Sequence, residues 1–216
     1  FIQADCADLD AMRSIFSSHP AIAGVIDFAA SKAVNESVHK PLLYYRNNIV
    51  SLLNLLECIN GTPECRGIVF SSSCTVYGEP DSNPVTEMSP IKPATSPYGN
   101  TKQISEDIIR DTVAAHNWFN AILLRYFNPV GAHPSALIGE LPNGVPQNLI
   151  PYLTQTAIGI RKQLSVFGDD YPTPDGSCIR DFIDITDLAR AHVTAVKRIV
   201  NKGMDENVEV FNLGTG

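Results

Sequence analysis

Apolar positions along the chain fall into two textures. Short runs rich in branched and aromatic residues read as strands: FIQA (1–4), GVIDFAA (24–30), GIVFSSS (67–73), AILLRYF (121–127) and VEVFNLG (208–214). The three central runs are apolar with little clean alternation, the pattern of a parallel sheet covered on both faces. Between the runs, spaced apolar positions predict helices over 8–18, 41–60 and 97–116, with further helices near 147–162 and over 184–200. The second of these opens with Pro41 and stops before Gly61, and the third opens with Ser96 as N-cap and Pro97 in the first turn. Strands alternating with helices require crossover connections, which are right-handed. The predicted fold is therefore α/β, a Rossmann-like doubly wound parallel sheet.

After residue 127 the texture changes. NPVGAHPSALIGELPNGVPQN and DDYPTPDGSCIRD are rich in Pro and Gly and read as loop. Two regions follow: 1–127, a partial nucleotide-binding domain, and 128–216, mainly a substrate-binding region. Within the latter, the helix and strand of 184–214 are free to return to the sheet. Both ends read as cut, since the chain starts on Phe1 in the tail of a strand and stops in a Gly-rich turn.

Composition narrows the function. With 216 residues, 44% hydrophobic and 18% charged, the chain can bury a sizeable core. A net charge of −7 without a Lys/Arg cluster argues against nucleic acid and anionic membrane surfaces. Five cysteines, at 6, 58, 65, 74 and 178, form no metal-type spacing and fit free thiols in a reducing compartment, with a cytoplasmic location and no metal site.

The candidate chemistry sits at the strand ends. In open α/β sheets ligands bind outside the carboxyl ends of the strands. VIDF is followed by AASKAV, GIVF by SSSCTVYG, and AILLRYF by NPVGAH, all small or polar enough to admit a cofactor. In SPYGNTK, Tyr98 and Lys102 are four residues apart and share a helix face. A cation beside a phenol favours the phenolate. A surface helix carrying an ordinary Tyr and Lys would show the same spacing, so the other parts must decide.

Ser73 ends one strand and Tyr98 and Lys102 open the next helix, and here the chain resembles the extended short-chain dehydrogenase/reductase superfamily. Within it the chain is similar to the UDP-galactose 4-epimerase family, through FAASKAVNESVHKPLLYYRNN, VFSSSCTVYGEP, SPYGNTK, LLRYFNPVGAHPS, GVPQNLIPY, VFGDDYPTPDGSCIRDFI and VFNLGTG. The resemblance implies an NAD-dependent exchange of UDP-galactose and UDP-glucose. The sugar C4 is oxidised to a ketone, the ketone turns over, and it is reduced on its other face. Tyr98 would take the 4-hydroxyl proton, Lys102 would lower the phenol and hold the ribose, and Ser73 would orient the reacting oxygen. A base working near neutral pH must titrate roughly three pH units below a free tyrosine, about 4 kcal/mol of differential stabilisation. Lys102 and the cofactor ring are the expected sources.

The same resemblance assigns Asp5 and Cys6 to the adenine, and Phe28, Ala29 and Ala30 to the dinucleotide. Lys32 and Asn48 go to the diphosphate, with Lys32 also near the substrate. Ser71, Tyr126 and Pro129 border the nicotinamide. Asn128, Asn148, Leu149, Ser165, Phe167 and Arg180 go to the sugar nucleotide, where a fixed guanidinium suits a diphosphate. A salt bridge to Asp181 or Asp184 is the plain alternative for Arg180, as helix capping is for Asn148. A homodimer through helices 41–60 and 97–116 is implied, although a buried core face would carry the same apolar residues.

Departures from the family pattern are the missing Gly-rich fingerprint, Ala30 for Gly, Leu141, Gln147, Phe182 and Asp184. Without the Gly-rich loop the isolated chain is expected to bind NAD poorly. A dehydratase is disfavoured because Cys74-Thr75-Val76 supplies no carboxylate after Ser73. Epimerisation of an N-acetylhexosamine or pentose nucleotide, or a non-catalytic sensor, are the remaining readings.

Overall fold

The computed structural model describes residues 1–216. Its elements, in chain order, are α1 (Leu9–Ser18), β1 (Val25–Asp27), α2 (Val34–His39), α3 (Pro41–Asn60) and β2 (Gly67–Ser73). A 3₁₀ turn (Cys74–Tyr77), α4 (Pro97–Ala115), β3 (Asn120–Tyr126) and β4 (Asn128–Val130) come next. The chain closes with α5 (Leu149–Ala157), β5 (Phe182–Asp184), α6 (Ile185–Val200) and β6 (Val208–Leu213). It divides into two compact units, Phe1–Tyr126 with Arg190–Leu213, and Phe127–Ala189 with Gly214–Gly216.

The first unit is built on a four-stranded parallel sheet in the order β1-β2-β3-β6. Register explains its double-sided core. Ile68 and Phe70 stand beside Ala121 and Leu123, and Val69 beside Ile122. Side chains alternate across a strand. The first set therefore packs with Met12, Phe16, Leu52, Leu56, Ile59 and Ile109 from α1, α3 and α4. The second set, with Leu124, packs on Ala195 and Ile199 of α6. The central strands lack a polar face because both faces are covered, as their unbroken apolar runs require.

One charged pair interrupts this core. Arg125 of β3 and Glu106 of α4 are 4% and 5% exposed, with Arg125 Nη2 donating to Oε2 at 2.5 Å and Nε to Oε1 at 2.9 Å. Ser72 Oγ donates to Glu106 Oε1 at 2.6 Å, and Arg125 Nη1 donates to Tyr77 Oη at 3.0 Å. Tyr77 in turn donates to Asn212 Oδ1 at 2.6 Å. The network ties β2, the 3₁₀ turn, α4, β3 and β6 together. Gly78, which ends the 3₁₀ turn, has φ +63°, and a Cβ there would lie 2.5 Å from the Pro93 carbonyl oxygen. Only glycine satisfies both constraints.

The second unit holds the two-stranded parallel pair β4-β5. Asp181 organises its end. Its carboxylate accepts from the Thr215 backbone N and Oγ1, both at 2.9 Å, and from Gly216 N at 3.4 Å.

Three expectations need correction. Residues 1–4 form no strand; Phe1 and Ile2 are exposed, and β1 ends the sheet with no strand beside it for them to pair with. The helix expected over 147–162 spans Leu149–Ala157 only, its end followed by Gly159 at φ +80°. β4 and β5 were not expected, being three residues each in Pro-rich surroundings.

Breaking the buried pair on one side strands a charge in the core, which costs about 3–5 kcal/mol. Arg125→Met is expected to lose that much in denaturant unfolding, and Glu106→Leu with Arg125→Met to recover more than half of the loss. Additive losses would show that the two residues do not act as a pair.

Candidate functional site

The first unit gathers Ser73, Tyr98 and Lys102. Ser96 Oγ accepts from Gly99 N at 3.1 Å and starts α4, with Pro97 in its first turn. This cap aims Tyr98 and Lys102, one turn apart, at the carboxyl end of β2. Ser73 Oγ accepts from Thr75 N at 3.3 Å and hydrogen-bonds the Tyr98 phenol. Lys102 Nζ donates to the Ser71 carbonyl at 2.8 Å and lies 5.9 Å from the Tyr98 ring centroid.

The electrostatics differ from expectation. Burial pushes the Tyr98 phenol well above its ordinary value; the Ser73 hydrogen bond opposes this and falls short. Lys102 is not among the groups that move the phenol, and its ammonium donates to the Ser71 carbonyl. Burial pulls Lys102 itself down to about 8, with Asp27 and Glu106 pulling it back up. A low-dielectric site penalises the charged form of each group.

Around them, Ser71 is a hub. Its Oγ hydrogen-bonds His192 Nε2 at 3.1 Å and the Tyr126 phenol, whose titration burial pushes up. His192 is 2% exposed and stacks on Phe28, with centroids 4.6 Å apart. Asn48 is spent on structure, its Oδ1 accepting from Ser31 N at 2.8 Å and its Nδ2 donating to Ser31 O at 3.1 Å and Thr101 Oγ1 at 3.0 Å. It shapes the loop after β1. Ala29 and Ala30 are half-buried on that loop and Lys32 is exposed. Asp5 Oδ1 accepts from Ala7 N at 2.9 Å, and the Cys6 carbonyl accepts from Asn54 Nδ2 at 3.0 Å. Burial pushes the Cys6 thiol up.

The remaining expected residues belong to the second unit. Asn128 N donates to Asp181 O at 3.1 Å, and Pro129 is exposed. Asn148 occupies the N-cap of α5 without a side-chain capping bond, its Nδ2 donating to Glu140 Oε1 at 3.4 Å. Leu149, Ser165 and Phe167 are exposed. Arg180 Nη1 donates to its neighbour's carbonyl, Ile179 O, at 2.8 Å. Asp184 Oδ1 accepts from Thr186 N at 2.7 Å and so caps α6.

Sequence reading passed over four buried ionisable residues beside Lys102 and Ser71: Asp27, Glu106, Arg125 and His192. The signal was available, because a charge inside an apolar strand such as VIDF or AILLRYF must find a partner.

A parallel sheet with small residues at its carboxyl edge, a capped Tyr-x-x-x-Lys helix and a serine at the strand end has the form of a dinucleotide-binding site with an acid–base pair beside it. Residues 1–214 match the NAD dependent epimerase/dehydratase family, and the chain belongs to it. It is 50% identical over its whole length to UDP-glucose 4-epimerase of Bacillus subtilis (strain 168) and 52% identical to UDP-glucose 4-epimerase 2 of Arabidopsis thaliana. It spans 62% and 60% of those relatives. The crystal structure of UDP-glucose 4-epimerase from Bifidobacterium longum in complex with NAD+ and UDP superposes with a TM-score of 0.91 at 46% identity. That match covers 99% of this chain and 62% of the other.

The residues present fit a dinucleotide. Ala29 and Ala30 leave room at the β1 edge, Phe28 offers an exposed ring, and Lys102 presents its ammonium beneath the β2 edge. If the Ser73 hydroxyl is what holds the phenol down, Ser73→Ala raises the Tyr98 titration in the cofactor-free protein. Ultraviolet tyrosinate difference titration, with Tyr98→Phe to identify the signal, checks this; an unmoved titration would remove Ser73 from that role.

Proposed function

We propose that the complete protein interconverts UDP-galactose and UDP-glucose by oxidation at C4, rotation of the 4-keto sugar and re-reduction on the opposite face. The observation that carries this reading is the convergence of Ser73, Tyr98 and Lys102 at the β2 edge, in a chain about half identical to UDP-glucose 4-epimerases.

NAD, when bound, supplies the hydride acceptor and donor. The side chains do the rest. Ser73 holds the sugar 4-hydroxyl against the Tyr98 oxygen. Tyr98 takes the hydroxyl proton as the ketone forms and returns it on re-reduction, so neither proton nor electrons are consumed overall. Lys102 anchors the ribose and places its charge near the phenol. Because burial raises Tyr98, the depression a base needs would come with the bound dinucleotide, whose ribose Lys102 would hold and whose nicotinamide ring would add positive charge. Small residues at Ala29 and Ala30 admit the dinucleotide. Asn128, Asn148, Leu149, Ser165, Phe167 and Arg180 serve the uridine diphosphate end, with Arg180 as its cation.

The proposed setting is the cytoplasm, consistent with five free cysteines; no helix is long and apolar enough to cross a membrane. The proposed assembly is a homodimer through α3 and α4; on α3, Leu42 and Leu53 stand 81% and 46% exposed. Light scattering of the complete protein is expected to give twice the chain mass; a monomer would refute the pairing.

Incubated with UDP-galactose, the complete protein is expected to form UDP-glucose without net consumption of NAD. Tyr98→Phe is expected to lower the rate by about 10²–10⁴-fold, the range for a general base. No conversion by an NAD-loaded protein would move the substrate to another sugar nucleotide, and full activity in Tyr98→Phe would remove the proposed base.

A further inference from the structure

Asp27 is a carboxylate the mechanism above leaves unused. It ends β1, is 6% exposed, and stands beside Phe70 in the parallel register. Register partners point to the same face of a sheet. Lys102 Nζ lies 4.7 Å from the Phe70 ring centroid. Asp27 and Lys102 therefore meet on one face, at one level of the sheet. Asp27 Oδ1 accepts from Ala29 N at 2.8 Å, which fixes the carboxylate at the turn into the loop of Ala29 and Ala30.

A buried carboxylate stays ionised only with a cation at hand. The titratable groups around the pair are Tyr98 and Glu106 on α4, Tyr126 on β3, His192 on α6, and Cys6 ahead of α1. Glu106 is held by Arg125 through two hydrogen bonds. With Glu106 so engaged, Asp27 is the carboxylate that shares the Phe70 face with Lys102. The charges agree: Asp27 is the foremost group raising Lys102 against its burial, and Lys102, after the Ala29 N–H, lowers Asp27 against its own.

We propose that Asp27 is a positioning residue for the epimerase reaction, the buried counter-ion that keeps Lys102 protonated beneath the ribose site. It acts through Lys102, and the inference rests on the roles given above to Tyr98 and Lys102. A neutral Lys102 would neither lower the phenol nor donate to a ribose oxygen with full strength, so the Asp27 charge sets the alkaline limit of the working range.

The sign is fixed by charge. Burial already brings Lys102 down to about 8. Removing the negative charge at residue 27 takes it lower, by about one pH unit, the low end for a nearby opposite charge. The test is Asp27→Asn in the complete protein, an isosteric change that keeps an oxygen for Ala29 N. Lys102 is followed by NMR of ¹³C-labelled lysine, with Lys102→Arg identifying its resonance, first without cofactor and then with NAD. The pH dependence of kcat/KM with UDP-galactose is measured alongside. Lys102 is expected to titrate about one pH unit lower in Asp27→Asn. The alkaline limb of the rate profile should fall with it, KM at the optimum should stay within about twofold, and Asp27→Glu should move both back toward the parent. Asp27→Ser, which also removes the charge and keeps a hydroxyl, carries the same expectation if the Asn variant fails to fold. An unmoved Lys102 titration in a folded variant would overturn the inference while leaving the epimerase reading intact. A shifted Lys102 in a protein without epimerase activity would keep the counter-ion and discard that reading.

Discussion

The candidate site depends on how α4 is seated, and α4 is seated by the Glu106–Arg125 pair. Glu106 lies one turn beyond Lys102 on the inward face of the helix. Its charge has to be met, and the guanidinium that meets it projects from near the carboxyl end of β3 with two donors in fixed geometry. A two-point contact of this kind sets both the rotation of the helix and its slide along the sheet. With α4 locked, Lys102 reaches the Ser71 carbonyl and Tyr98 comes to Ser73. An apolar pair of similar volume would be at least as stable, since a buried ion pair forfeits its hydration. What the pair adds is one register in place of several.

Burial then governs the chemistry. Tyr98, Lys102, Asp27 and Tyr126 are each moved toward their neutral form by loss of water. Burial biases both members of the proposed catalytic pair against charge. The spacing of Tyr98 and Lys102 alone overstated their coupling. Two groups on one helix face still interact according to where their terminal atoms point, and Lys102 points at a backbone carbonyl.

What the sequence disclosed follows the strength of each local signal. The strands around Ile68–Phe70 and Ile122–Leu124 were legible because both faces are buried and the runs are unbroken. α3 and α4 were legible to within a residue because Pro41, Gly61, Ser96 and Pro97 punctuate them. FIQA carried a strand's composition without a neighbouring strand, and pairing rather than propensity decides a strand. β4 and β5 are three residues each, too short for any period to show. Ser73, Tyr98 and Lys102 were found because the motif is local. Asp27, Glu106, Arg125 and His192 were passed over because their partners are 19 to 121 residues away in the chain or on another strand.

The run Ser71-Ser72-Ser73 shows how much such a stretch can conceal. Read as composition it is a polar strand end. Read with the two-residue period of a strand, its members face opposite sides. Ser72 turns to α4 and bonds Glu106, joining the pair that seats the helix. Ser71 turns the other way to His192, while its carbonyl takes the Lys102 ammonium. Ser73 caps the 3₁₀ turn and reaches the Tyr98 phenol. An alanine at any of the three would remove a different bond, and at Ser72 it would take a donor from a buried carboxylate. Three identical residues thus carry three separate duties, and the alternation of the strand sets Ser72 apart from the other two.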